Sequence, residues 1–92
     1  MAEVLCEHVG PGLRVTERSV AVRDVRGHRE YIRVEEDFLT EVGERAYLPV
    51  GVVHIDKEKG MVLIEVPHEA DTGGNRLWVR PADLLADNGV TP

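Results

Sequence analysis

Residues 47–66 read YLPVGVVHIDKEKGMVLIEV, two apolar and largely β-branched runs joined by a charged turn that ends in glycine. Valine and isoleucine lose rotamer freedom in a helix and pack well on a pleated surface, so the pair constrains the chain toward strands. Pro49 has no N–H to donate, which leaves one side of the first run free or bulged there. Apolar parity also changes along that run: Leu48, Val50 and Val52 share one face, Val53 and Ile55 the other. A bulge near Gly51 accounts for the switch. Gly60 takes the left-handed position of the turn, and Pro67 stops the second run. In that second run Val62, Ile64 and Val66 point one way and Met61 and Leu63 the other. The outer face of a small barrel meets water, so Met61 and Leu63 require a cover, either the chain's own termini or a second copy.

The remaining segments fit the same plan. In SVAVRDVRGHREYIRV, Val20 and Val22 face one side, Gly27 supplies a tight turn, and Ile32 and Val34 share a face of the return strand, which reads as a β-hairpin. Glu3 to Val9 reads as a strand stopped by Gly10-Pro11-Gly12. DFLTEVGERA stays ambiguous, with Phe38 and Leu39 as a plug at one end and Gly43 closing a short loop. Pro81 opens a helical turn that Leu84 and Leu85 dock and Asn88-Gly89 ends, leaving 87–92 as a flexible tail.

No linker or repeat divides the 92 residues, so 1–92 is expected to be one domain. The fold class expected is all-β: a small barrel of four to six short antiparallel strands with a short C-terminal helical turn. The order of hairpin, two longer strands across a charged turn, and RLWVRPADLL as a last strand entering a proline-started turn resembles the SH3-like and PRC-barrel group of domains. That resemblance covers most of the chain as a pattern and implies an assembly or interaction module more often than an enzyme. It carries no site motif to transfer.

Net charge is −6, which argues against nucleic acid or an anionic membrane as a general partner. Cys6 is the single cysteine, which fits a reducing compartment. The first residues, MAEVLCEHVG, lack a signal-peptide pattern, and no apolar run is long enough to span a membrane, so a cytoplasmic location is the expectation.

Several constellations could carry chemistry. Asp71-Thr72-Gly73 spells the tripeptide of retroviral-type aspartic proteases. It stands late in the chain, after Pro67, His68 and Glu69, and too little sequence follows to build the cradle that holds paired aspartates, so it reads as a polar loop. Cys6 with His8, and His54 with Asp56, have the two-residue spacing that places strand side chains on one face. With His68 or Asp71 they are the candidate metal ligands, and with Glu69 they define the alternative reading of a metal-dependent or hydrolytic enzyme. DTGGNR, with two glycines and Arg76, offers a weak anion cradle without a P-loop lysine. Arg29, Tyr31 and Arg33 alternate on one strand, and Arg76, Trp78 and Arg80 on another. These residue types dominate binding hot spots and also suit single-stranded nucleic acid, although neighbouring acids can pair the arginines internally. The leading reading is a non-catalytic interaction or assembly module. It needs no cofactor and is expected to meet a second copy or a protein partner: Met61 and Leu63 pointing outward together with Leu48 or Val50 form the self-association strip, and the two arginine–aromatic stripes add to the contact surface.

Overall fold

The computed structural model describes residues 2–71 and 73–86, and its β-rich architecture is organised around one long strand. In chain order the strands are β1 (Ala2–Cys6), β2 (His8–Pro11), β3 (Glu17–Arg23), β4 (Arg29–Glu35), β5 (Thr40–Val42), β6 (Arg45–Asp56), β7 (Met61–Glu65), β8 (Arg76–Val79) and β9 (Leu84–Ala86). Short 3₁₀ turns at Glu36–Phe38 and Pro81–Asp83 are the helical elements among the described residues. All pairings are antiparallel.

Two sheets result, one with the order β8-β7-β6-β1-β9 and β5 also on β6, the other with the order β2-β3-β4. The chain passes from the first to the second at Glu7, between β1 and β2, where the Glu7 N–H donates to the Ala21 carbonyl at 2.8 Å. The chain is all-β as expected, but the two sheets do not close into a barrel. Closure would need a ladder joining the two sheets, and they meet instead through isolated links. Val25 N–H donates to Trp78 O, Asp71 N–H donates to Tyr31 O, and Ile32 forms a single bridge with Ala70. The strands are also shorter and more numerous than the expected four to six, because β1–β2 breaks at Glu7 and DFLTEVGERA forms the β5–β6 hairpin. The C-terminal helical turn is reduced to Pro81–Asp83, after which Leu84 and Leu85 enter β9 beside β1. The expected stop at Asn88-Gly89 and the tail at 87–92 lie outside the described residues.

The core follows the alternation in the sequence. Val4, Val20, Val22, Ile32, Val34, Leu48, Ile64 and Val79 are fully buried, and Ala2, Cys6, Val50, Val62, Val66 and Ala70 complete the cluster. Leu39 packs against it as the plug, while Phe38 stays on the surface. Ala21 is buried too, although it lies on the opposite face of β3 from Val20 and Val22. Gly27 and Gly60 have φ of 85° and 64°, as their turns require.

In β6 the irregularity sits between Val52 and His54, so Val53 is the extra residue. The bulge returns Ile55 to the face of Leu48, Val50 and Val52, opposite Val62 of β7. Pro49 is tolerated because β5 stops opposite Tyr47 and β7 begins opposite Gly51.

A Cβ added at Gly60 meets no atom within 4 Å, so a substitution there acts through backbone strain alone. Gly60→Val should destabilise the fold by about 1–3 kcal/mol, read as a lower denaturation midpoint. An unchanged midpoint would contradict the left-handed turn.

Candidate interaction surface

The arginine–aromatic stripes reach the surface, but their cations are already engaged. Arg29 Nε lies 3.1 Å from Glu7 Oε1, Arg76 Nε 3.1 Å from Glu65 Oε1, and Arg80 Nη2 3.2 Å from Asp83 Oδ2. Arg33 is held more loosely, 3.8 Å from Asp71 Oδ1. Tyr31 and Glu7 together hold the Arg29 guanidinium more firmly in its charged form. These are exposed pairs, each contributing little to stability. Their consequence is that neither stripe presents a row of free cations to a phosphate backbone.

Glu7 is the most connected of these acids. It stands at the sheet crossing with Arg23 Nε at 2.7 Å on one side and Arg29 on the other. The Arg23 Nε contact is short but falls outside linear hydrogen-bond geometry. Arg23 first, and Arg29 second among the arginines, hold the Glu7 carboxyl below its ordinary value.

The metal and hydrolytic candidates are dispersed. Cys6 is buried on β1, where desolvation pushes its thiol up to about 12, so it is a poor thiolate ligand. His8 lies beyond the crossing on β2, exposed. His54 sits edge-on to Trp78 with ring centroids 6.1 Å apart, and His68 stacks on Phe38 at 5.9 Å. Asp56 accepts the Lys59 N–H within the β6–β7 turn. Asp71 is exposed and Glu69 lies on the same surface loop. Among the described residues no three His, Cys, Asp or Glu side chains converge where a metal could sit. The protease tripeptide occupies the β7–β8 loop, where Ala70 N–H donates to Gly74 O and Gly73 N–H to Ala70 O, with Gly73 at φ 101°. That is turn chemistry, and Thr72 lies outside the described residues.

Apolar side chains do gather. On the outer face of the large sheet, Leu63 stands between Trp78 of β8 and His54 of β6 in one cross-strand row, and both Leu63 and Trp78 are half-buried. The expectation that Leu48 or Val50 joins this strip is corrected, since both point into the core. Met61, also half-buried, borders a groove of about 580 Å³ at the far end of β6. Ala2, Val52, Ile55, Leu84 and Leu85 line it, with Asp56 and Lys57 at the rim. Val52 is 45%, Ile55 53% and Leu85 40% exposed. Sequence reasoning assigned Leu84 and Leu85 to a docked helical turn and so missed the groove. The parity change across VGVVHI was the legible signal.

Comparison with protein-family models, with curated proteins and with solved structures finds no match. Among the described residues no helix is long and apolar enough to cross a membrane.

Two outcomes are expected. A carboxyl whose pKa is depressed by folding stabilises above its unfolded value and loses that contribution as pH falls through the folded one. Glu7→Gln should therefore lower the denaturation midpoint at neutral pH, and the gap from the unsubstituted chain should shrink below the ordinary carboxyl value of 4.5. A gap that is constant with pH would contradict the Arg23–Glu7–Arg29 coupling. Asp71→Asn should leave both the circular dichroism and the melting curve unchanged. Peptide cleavage that this substitution abolishes would overturn the loop reading.

Proposed function

We propose that the protein is a non-catalytic association module that forms homo-oligomers, an opened relative of the SH3-like and PRC-barrel plan. The observation that carries this reading is the apolar cluster at the end of β6. Val52, Val53, Ile55 and Leu85 are each between 40% and 53% exposed, although three of the four belong to the longest strand of the main sheet. Fully burying such a side chain contributes roughly 1.5–3 kcal/mol, so completing the burial of several half-exposed ones contributes a few kcal/mol, enough to decide an association. Contiguous apolar surface of this kind on a small domain marks a contact site. The row Trp78–Leu63–His54 and the half-buried Met61 extend the same surface onto the outer face.

The polar residues support association over chemistry. Catalysis needs a nucleophile, a base and an oriented partner within hydrogen-bond reach. Here His54 and His68 are engaged with separate aromatic rings, and Asp71 lies in a surface loop against Arg33. For nucleic acid, the chain's net charge of −6 and the pairing of Arg29, Arg33, Arg76 and Arg80 leave little to recruit a phosphate backbone. Cytoplasmic residence accords with the single reduced cysteine and forms part of the same proposal.

Light scattering over low to high micromolar concentrations tests the proposal. The unsubstituted chain should gain mass as concentration rises, and Ile55→Glu should stay at monomer mass while keeping its β-type circular dichroism, because Ile55 is too exposed to be required by the core. A chain that remains monomeric throughout would overturn the association reading.

A further inference from the structure

The end of β6 carries a backbone edge that is unpaired among the described residues, as well as an apolar groove. Among the described residues, 51–56 pair with β7 along one edge only, since the described ladder with β1 ends at Ala2, opposite Val50. Among the described residues no backbone hydrogen bond reaches the other edge of this segment. Small β proteins commonly blunt such an edge with proline, lysine, an inward-pointing charge or a β-bulge. From Gly51 to Ile55 the sequence is GVVHI, which has the bulge at Val53 but no proline, lysine or acidic residue, and all five residues are exposed.

Resting on the association reading above, we infer that the free edge of β6 pairs with the same edge of a second copy about a two-fold axis, with the two grooves brought together at the seam. Three observations select this occupant. An isologous contact satisfies both free edges at once, as the common two-fold dimer does. An antiparallel pairing centred near Val53 sets Val52 of each copy beside Ile55 of the other, closing the exposed part of both grooves with β-branched pairs. The adjoining turn, Asp56-Lys57-Glu58-Lys59, holds two acids and two lysines and so sums to zero. These are the chain's two lysines, and they make the end of β6 locally neutral on a molecule of net charge −6, which lets a second copy approach.

A cysteine introduced by Val53→Cys tests the geometry, with Arg33→Cys on the small sheet as the control position. Cys6 is buried and its thiol is held protonated, so it stays silent toward a short bis-maleimide. At a concentration where light scattering shows a dimer, V53C should cross-link to covalent dimer in high yield and R33C at least tenfold less. Dilution below the association range should abolish the V53C product. A dimer by light scattering in which V53C cross-links no better than R33C would overturn the edge pairing and leave the association reading standing. Monomer mass at every concentration would overturn both. A monomer whose V53C thiol is protected only when an unrelated extended apolar peptide is added would assign the edge to a foreign strand and likewise overturn the pairing of copies.

Discussion

A single 12-residue strand sets the geometry of the molecule. β6 pairs with β5 through Arg45–Tyr47, with β1 through Ala46–Val50 and with β7 through Gly51–Asp56, so the large sheet is hung from it piece by piece. Its first half pairs with β1 along Ala46–Val50 and with β5 at Arg45–Tyr47, and is buried at Tyr47, Leu48 and Val50. Its second half has one neighbour among the described residues and is exposed from Gly51 to Ile55. The bulge at Val53 lets one strand serve both roles, because it keeps Ile55 on the inner face after the strand has passed the end of β1. Core and contact surface are consecutive stretches of one strand.

Charge plays a peripheral part in this arrangement. Among the described residues no polar or charged side chain is buried, and the core is built from valine, isoleucine, leucine, alanine and one tyrosine, with the thiol of Cys6 as a small apolar filler. The ion pairs lie on the surface and link strands and turns: Glu7 holds the sheet crossing to β3 and β4, Arg18 meets Glu36, and Arg14 meets Glu35. Pairs of this kind fix side-chain positions more than they stabilise the fold. They also explain why the arginine–aromatic stripes are poor functional markers here. Strand register sets Arg76 opposite Glu65, the sheet crossing brings Glu7 to Arg29, the β7–β8 loop brings Asp71 toward Arg33, and only the pair of Arg80 with Asp83, three residues on, lies within reach of sequence spacing.

What was legible in the sequence was whatever depends on period two and on turn chemistry. The β3–β4 hairpin, the left-handed Gly27 and Gly60, the inward set Val62, Ile64 and Val66, and a bulge close to Gly51 all follow from local rules, and each is present. What was not legible depends on which strand neighbours which. Nothing local says that the described ladder of β1 ends opposite Val50 and leaves 51–56 one-sided among the described residues, or that Leu84 and Leu85 join β1 as a strand after the 3₁₀ turn. For the same reason local patterning did not reveal that the two sheets stay unclosed. Closure is a property of ladders between distant segments, and the links at Val25–Trp78 and Ile32–Ala70 are single. The groove is a product of that topology, so its residues were read individually as core, bulge and cap.

Amide hydrogen exchange along β6, followed as a function of protein concentration, tests the division of this strand most directly. Amides of residues 46, 47, 48 and 50 should exchange slowly at every concentration, near the limit set by global unfolding. A subset of amides in 51–56, those that point away from β7, should exchange fast in dilute protein and become protected as the concentration enters the association range. Protection of 51–56 that equals that of 46–50 in dilute protein, or that ignores concentration altogether, would contradict a strand that is half core and half docking edge.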